Sequence, residues 1–216
     1  MAAAKDRLGQ LLTLAATRQW QPLARELSAL ACDWPADYPQ AMRTPALALF
    51  EWSLRECDEA TRVEIARHMG GHPELPLRLL NELYLAAPSP LKREILTRNQ
   101  LEGEDDASVA PTDAAALIAA ARGGAGDFAG ALSAVAAIPR DIAEAVLADA
   151  SGEPLAVLCR GLGLERATFS AVALLHGAKS LPLEVYDTVP DRAARRLAQH
   201  WRAHHVVHPR HAQAAE

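Results

Sequence analysis

Cysteine is scarce in this chain. Three residues in 216, Cys32, Cys57 and Cys159, lie far apart with no CxxC pair among them. That excludes a disulfide framework and a cysteine-built zinc site, and a reducing cytoplasm is the expected location. Aromatic residues number only ten, and Val and Ile together only fifteen. A chain so poor in β-formers excludes a β-sandwich or barrel and argues against a Rossmann-type sheet. No apolar run approaches the ~20 residues that span a bilayer. The opening segment MAAAKDRLGQLLTLAATRQW has Asp6 in its leader and Gly9, Gln10 and Thr13 in its apolar stretch. It reads as an amphipathic helix with Leu8, Leu11, Leu12 and Ala15 on one face, not as a signal peptide. Positive charge is not in excess either: the net charge is −5, which gives no global attraction to nucleic acid or to an anionic membrane.

What is present is alanine, 46 residues, and leucine, 31. Both are strong helix formers. A chain of this length buries about 70% of its unfolded surface and folds without disulfides or metal. The negative charge is local. Residues 1–100 hold 12 basic and 12 acidic side chains, residues 112–216 hold 10 and 11, and the stretch 101–111 holds Glu102, Glu104, Asp105 and Asp106 with nothing basic. This acidic, weakly apolar stretch is the expected linker or exposed loop between subdomains 1–100 and 112–208, with 209–216 as a flexible tail.

Proline and capping residues punctuate the first subdomain. Trp20-Gln21-Pro22 opens a helix carrying Leu23, Leu27 and Leu30. Thr44-Pro45 reads as an N-cap with proline at the first helical position, followed by Leu49, Phe50, Leu54 and Cys57. Asp58 caps a helix with Val63, Ala66 and Met69 inward, ended by Gly70-Gly71; Pro76 and Ser89-Pro90 open two more. In the second subdomain helices are expected near Asp113, Asp127, Asp141, Pro154, Glu165, Leu183 and Asp191. Thr112 and Asp127 serve as N-caps, and Gly123, Gly161 and Gly177 as stops. The last helix, 191–205, sets Ala194, Leu197, Ala198 and Trp201 against a polar side with Arg192, Arg195, Arg196 and Arg202.

Each chemical motif has a plainer reading beside it. Gly123-Gly124-Ala125-Gly126-Asp127 could hold a phosphate at a helix start, but it has no Lys-Ser/Thr, follows a helix, and carries an aspartate; it reads as a turn. Ser89-Pro90-Leu91-Lys92 matches SxxK of acylating enzymes, without the companion motifs or a sheet; Ser89 reads as a cap. His200, His204 and His208 recur at helical spacing and form a weak candidate metal site; the alternative is a solvated tail. The stretch 191–211 is net +4. Arg192, Arg195, Arg196 and Arg202, with Trp201, are the candidate partner-binding residues, directed to the acidic 102–106 segment or to an acidic partner protein. With no interleaved aromatics, such a stripe does not point to nucleic acid. Trp20, Trp34 and Trp52 read as core; two of them exposed would mark a partner surface. No paired acid–base constellation stands out, the carboxylates mostly occupying helix starts, and no cofactor is implied.

The runs Asp149-Ala-Ser-Gly-Glu-Pro-Leu-Ala156, Gly161-Leu-Gly-Leu-Glu-Arg-Ala-Thr-Phe169 and Leu183-Glu-Val-Tyr-Asp187, with Ala193-Ala194-Arg195 through Trp201-Arg202, resemble the bacterial DUF2336 family. The likeness is best over about 150–202. It implies an all-helical, HEAT-like repeat protein and carries over no catalytic residue. The expected architecture is therefore all-α, about a dozen short helices in hairpins, stacked as a HEAT-like α-solenoid or as two packed subdomains. The expected function is non-enzymatic, a scaffold or adaptor for a protein partner in bacterial regulation. The rival expectation is a small-ligand or metal-binding sensor that uses the C-terminal histidines.

Overall fold

The structure, a computed structural model, describes residues 2–36, 38–70, 72, 75–102, 113–123, 127–176 and 183–207, with side chains from residue 7 to residue 204. Among the described residues there are thirteen α-helices, one short 3-10 turn and no strand. None of these helices is long and apolar enough to cross a membrane. The chain divides into two compact units, Met1–Ile95 and Leu96–Glu216.

The first unit contains α1 (Ala2–Ala16), α2 (Trp20–Cys32), α3 (Gln40–Arg55), α4 (Glu59–Met69), α5 (Leu77–Leu83), the 3-10 turn Tyr84–Ala86, and the start of α6 (Ser89–Leu101). Helix α2 is its centre and packs on α1, α3 and α4. The spacing of Leu23, Leu27 and Leu30 explains this: all three are buried, with Ala24 and Ala31 letting neighbours approach. Asp58 caps α4 as its position suggests, its carboxylate accepting from the Thr61 amide at 2.7 Å.

Three sequence expectations are corrected here. Helix α3 starts at Gln40, so Pro45 lies inside it. Pro39 is extended and its carbonyl already accepts from Met42, so the chain turns helical before Thr44, at the cost of the bond Pro45 cannot donate. On α1, Leu11 is buried but Leu12 is exposed. Ser89 is an exposed first-turn residue of α6, and the Lys92 ammonium lies 5.8 Å over the Tyr84 ring.

The second unit contains the end of α6 and α7 (Ala114–Arg122), α8 (Phe128–Ala136), α9 (Arg140–Ala148), α10 (Glu153–Gly161), α11 (Arg166–Leu175), α12 (Leu183–Thr188) and α13 (Asp191–Val207). Asp113 and Asp127 cap α7 and α8 through the Ala116 and Gly130 amides. The cap of α7 is thus Asp113; Thr112, Gly124 to Gly126, and Gly177 lie outside the described residues. Helix α10 is the hub, packed on α9, α11, α12 and α13. Its sequence PLAVLC is apolar all round, and every one of those residues is buried.

The glycine that ends α10 is not Gly161. Gly163 takes the left-handed conformation, φ +70°. The Leu164 amide bonds back to Cys159 and the Gly163 amide to Arg160, which is a Schellman ending. Gly161 has a packing role instead. A Cβ there would lie 2.4 Å from the Ala194 carbonyl oxygen and 2.8 Å from the Ala198 methyl. Only hydrogen fits where α10 meets α13. Around this crossing, Tyr186 donates to the Leu164 carbonyl, Phe169 stacks on Tyr186 at 4.9 Å, and Arg160 pairs with Asp191 at 2.6 Å.

Candidate functional site

Helix α13 carries most of the residues singled out from the sequence. It is amphipathic, with Ala193, Ala194, Leu197, Ala198 and Trp201 all buried. Trp201 is 1% exposed, so its ring belongs to the core and leaves no surface to a partner.

Three of the four arginines on its polar side have internal targets. Arg192 and Arg196 donate to the carbonyls of Gln100 and Asn99, at 3.4 and 2.6 Å. Arg202 donates to the Ala136 carbonyl at 2.8 Å. All three acceptors lie in the final turns of α6 and α8, where carbonyls lack a helical donor and the helix dipole is negative. The stripe therefore closes helix ends within its own unit. Arg195 makes no hydrogen bond or ion pair with a described residue. Glu102 pairs with Arg98 at 2.6 Å, which holds its carboxyl below the usual range. Residues 103–111 of the acidic stretch and the tail 209–216 lie outside the described residues.

Of the three candidate metal ligands, His200 and His204 come together. Their ring centroids are 4.9 Å apart in an edge-to-face arrangement, with His200 half-buried and His204 7% exposed. His208 lies outside the described residues.

Two arrangements in the first unit escaped the sequence reading. One is a buried charge cluster. The Arg55 guanidinium reaches Glu51 at 2.5 Å and Glu82 at 2.6 Å, and Glu51 also meets Arg78 at 2.7 Å. These glutamates sit inside helices α3 and α5, not at helix starts, so capping does not explain them. Glu51 and Arg55 stand four apart, which is a sequence signal for a helical ion pair. Nothing local announces Glu82, 27 residues further on. Both carboxylates are directed at one cation.

The other is aromatic. Trp20 and Trp52 meet edge to face, centroids 4.5 Å apart, and Trp52 is 43% exposed. The expectation that Trp52 is core is thereby corrected; Trp20 and Trp34 are half-buried. Arg43 lies over the Trp34 ring at 5.4 Å. On α3 the side chains of Glu51 and Arg55 are largely buried, whereas that of Trp52, between them in the chain, is exposed.

An open surface groove is lined by Arg25, Ser28, Ala29, Glu64, Ile65 and His68. Its charges are mutually paired, Arg25 donating to Glu64 at 2.8 and 3.0 Å. That pairing raises the arginine and lowers the carboxyl from their ordinary values. Burial pushes the Cys57 thiol up to about 11, with the Asp58 carboxylate adding to it, and the Cys159 thiol up to about 12. Both are protonated and enclosed, unlike activated nucleophiles.

The described helices and their packing define an all-α protein of short helices. Residues 106–202 match the family described as an uncharacterised protein conserved in bacteria, DUF2336, which the second half resembles in sequence. No curated protein and no solved structure matches the chain.

Proposed function

We propose that this chain is a non-enzymatic scaffold or adaptor that offers a helical surface to a protein partner in bacterial regulation, in the cytoplasm. The observation that carries the reading is the Trp20–Trp52 pair, with Trp52 43% exposed in a chain of ten aromatic residues. Tryptophan is enriched in interface cores because a large rigid ring buries much apolar area at little entropic cost. Seated edge to face against Trp20, the Trp52 ring is held in place before any partner arrives. The family resemblance implies HEAT-like helical hairpins, an architecture suited to broad protein-binding faces. The net charge of −5 favours a protein ligand over nucleic acid.

The test is a pull-down from the native host with mass spectrometry, run in parallel on wild type and on Trp52→Ala, with circular dichroism to verify the fold. The expected outcome is a partner retained by the wild type and reduced by ten-fold or more in the variant, the loss typical of a removed interface tryptophan. Equal retention by the two proteins, or no specific capture by either, would overturn the reading.

A further inference from the structure

We propose that His200 and His204 form a two-imidazole binding site for a divalent late transition-metal ion. This site is independent of the partner surface. The two residues are one helical turn apart, so both imidazoles project from one face of α13. Their ring centroids are 4.9 Å apart, and a ligand nitrogen of one lies within 4.8 Å of a ligand nitrogen of the other. Two imidazole nitrogens on one ion, each about 2.0–2.1 Å from it, stand about 3–4 Å apart. A torsion of the half-buried His200 side chain closes the difference.

The backbone that carries the pair is already fixed. Between the two histidines Trp201 is fully buried, and Arg202 is tied to the Ala136 carbonyl at 2.8 Å. One and a half turns earlier, Ala194 and Ala198 contact α10 so closely that Gly161 has no room for a methyl. His204 is itself 7% exposed, which restricts its ring to few orientations. A chelate formed here therefore costs little ordering entropy. Neutral nitrogen ligands select the imidazole-preferring metals, Ni2+, Cu2+ and Zn2+, over Mg2+ and Ca2+. The pair supplies two of the ion's coordination positions, and other donors take the rest.

The experiment is calorimetric titration of the full-length, chelator-treated chain with NiCl2 and separately with ZnCl2, repeated with MgCl2. Binding of one equivalent of Ni2+ and Zn2+ in the micromolar range is expected, with no heat from Mg2+. His200→Ala and His204→Gln each weaken Ni2+ binding at least tenfold; the triple variant His205→Ala, His208→Ala, His211→Ala keeps it within twofold. Thermal melting guards against a misfolded variant: Ni2+ raises the wild-type midpoint, because a ligand of the native state stabilises it. It leaves the midpoints of the folded His200→Ala and His204→Gln proteins unmoved. Absence of heat at micromolar metal, binding that survives both single variants, or binding abolished in the triple variant would each overturn the assignment.

Discussion

Replacing Gly161 by alanine sets helix propensity against packing. Gly161 is the last helical residue of α10. On propensity alone, alanine for glycine within a helix stabilises by roughly 0.5–1 kcal/mol. The structure reverses the sign. The new methyl carbon would sit 2.4 Å from the Ala194 carbonyl oxygen and 2.8 Å from the Ala198 methyl, where about 3.4 Å is the ordinary limit. The first obstacle is backbone and cannot rotate away. Helices α10 and α13 must separate by roughly 1 Å, which loosens the packing of Leu197 and Trp201 on the hub helix. Overpacking of this kind costs about 1–3 kcal/mol. For a unit of this size that lowers the melting midpoint by on the order of 5–15 °C. Gly9→Ala in α1 is the control, since nothing lies within 4 Å of its Cβ position. It gains the full propensity term, so its midpoint rises by about 2–5 °C. The assay is thermal unfolding followed by circular dichroism at 222 nm, supported by urea titration. If Gly161→Ala raises the midpoint as Gly9→Ala does, the close approach of α10 and α13 is wrong.

The remaining predictions concern charge. Arg55→Gln leaves Glu51 and Glu82 buried beside each other without their shared cation, and costs about 3–5 kcal/mol in urea unfolding. Arg78→Ala, at a side chain 72% exposed, stays within about 0.5 kcal/mol of wild type; equal losses from the two would refute the burial argument. Arg196→Ala removes a charged donor from the Asn99 carbonyl and costs about 1.5–3 kcal/mol, whereas Arg195→Ala costs less than about 0.5 kcal/mol. Indistinguishable melting curves for these two variants would contradict the capping role of the stripe. The Asp58 carboxyl is held below its ordinary value by the amide and hydroxyl of Thr61. A lowered folded value means that its contribution is complete above about pH 4 and is lost as pH falls through the folded value. Melting midpoints measured from pH 6 to pH 3 should therefore drop more steeply in wild type than in Asp58→Asn, which keeps an acceptor but cannot titrate. Parallel curves would remove Asp58 from the acid response.

Helix composition and most helix starts were legible in the residues, because capping acts over three or four positions. Asp58 and Asp127 declare their helices locally, and Asp113 does so one place after Thr112, the cap expected from sequence. The inward faces of α2 and α13 were legible for a related reason: their leucines and alanines recur at the helical period. Proline at position 45 misled because a Thr-Pro pair marks a helix start only when the preceding chain is not already helical, and Pro39 had begun α3. The exposure of Leu12 and Trp52 was hidden, since burial depends on which neighbour arrives and not on the side chain alone.

By itself, then, the chain of alanines, leucines and capping residues decided an all-α protein of short helices and where most of them begin, since propensity and capping are local terms. Tertiary structure decided everything that depends on pairs distant in sequence: that Arg55 joins Glu51 to Glu82, that three arginines of α13 close the ends of α6 and α8, and that Gly161 is a contact rather than a stop. These facts arise from interhelical distances of a few ångströms, and no local pattern of residues encodes which two helices will meet.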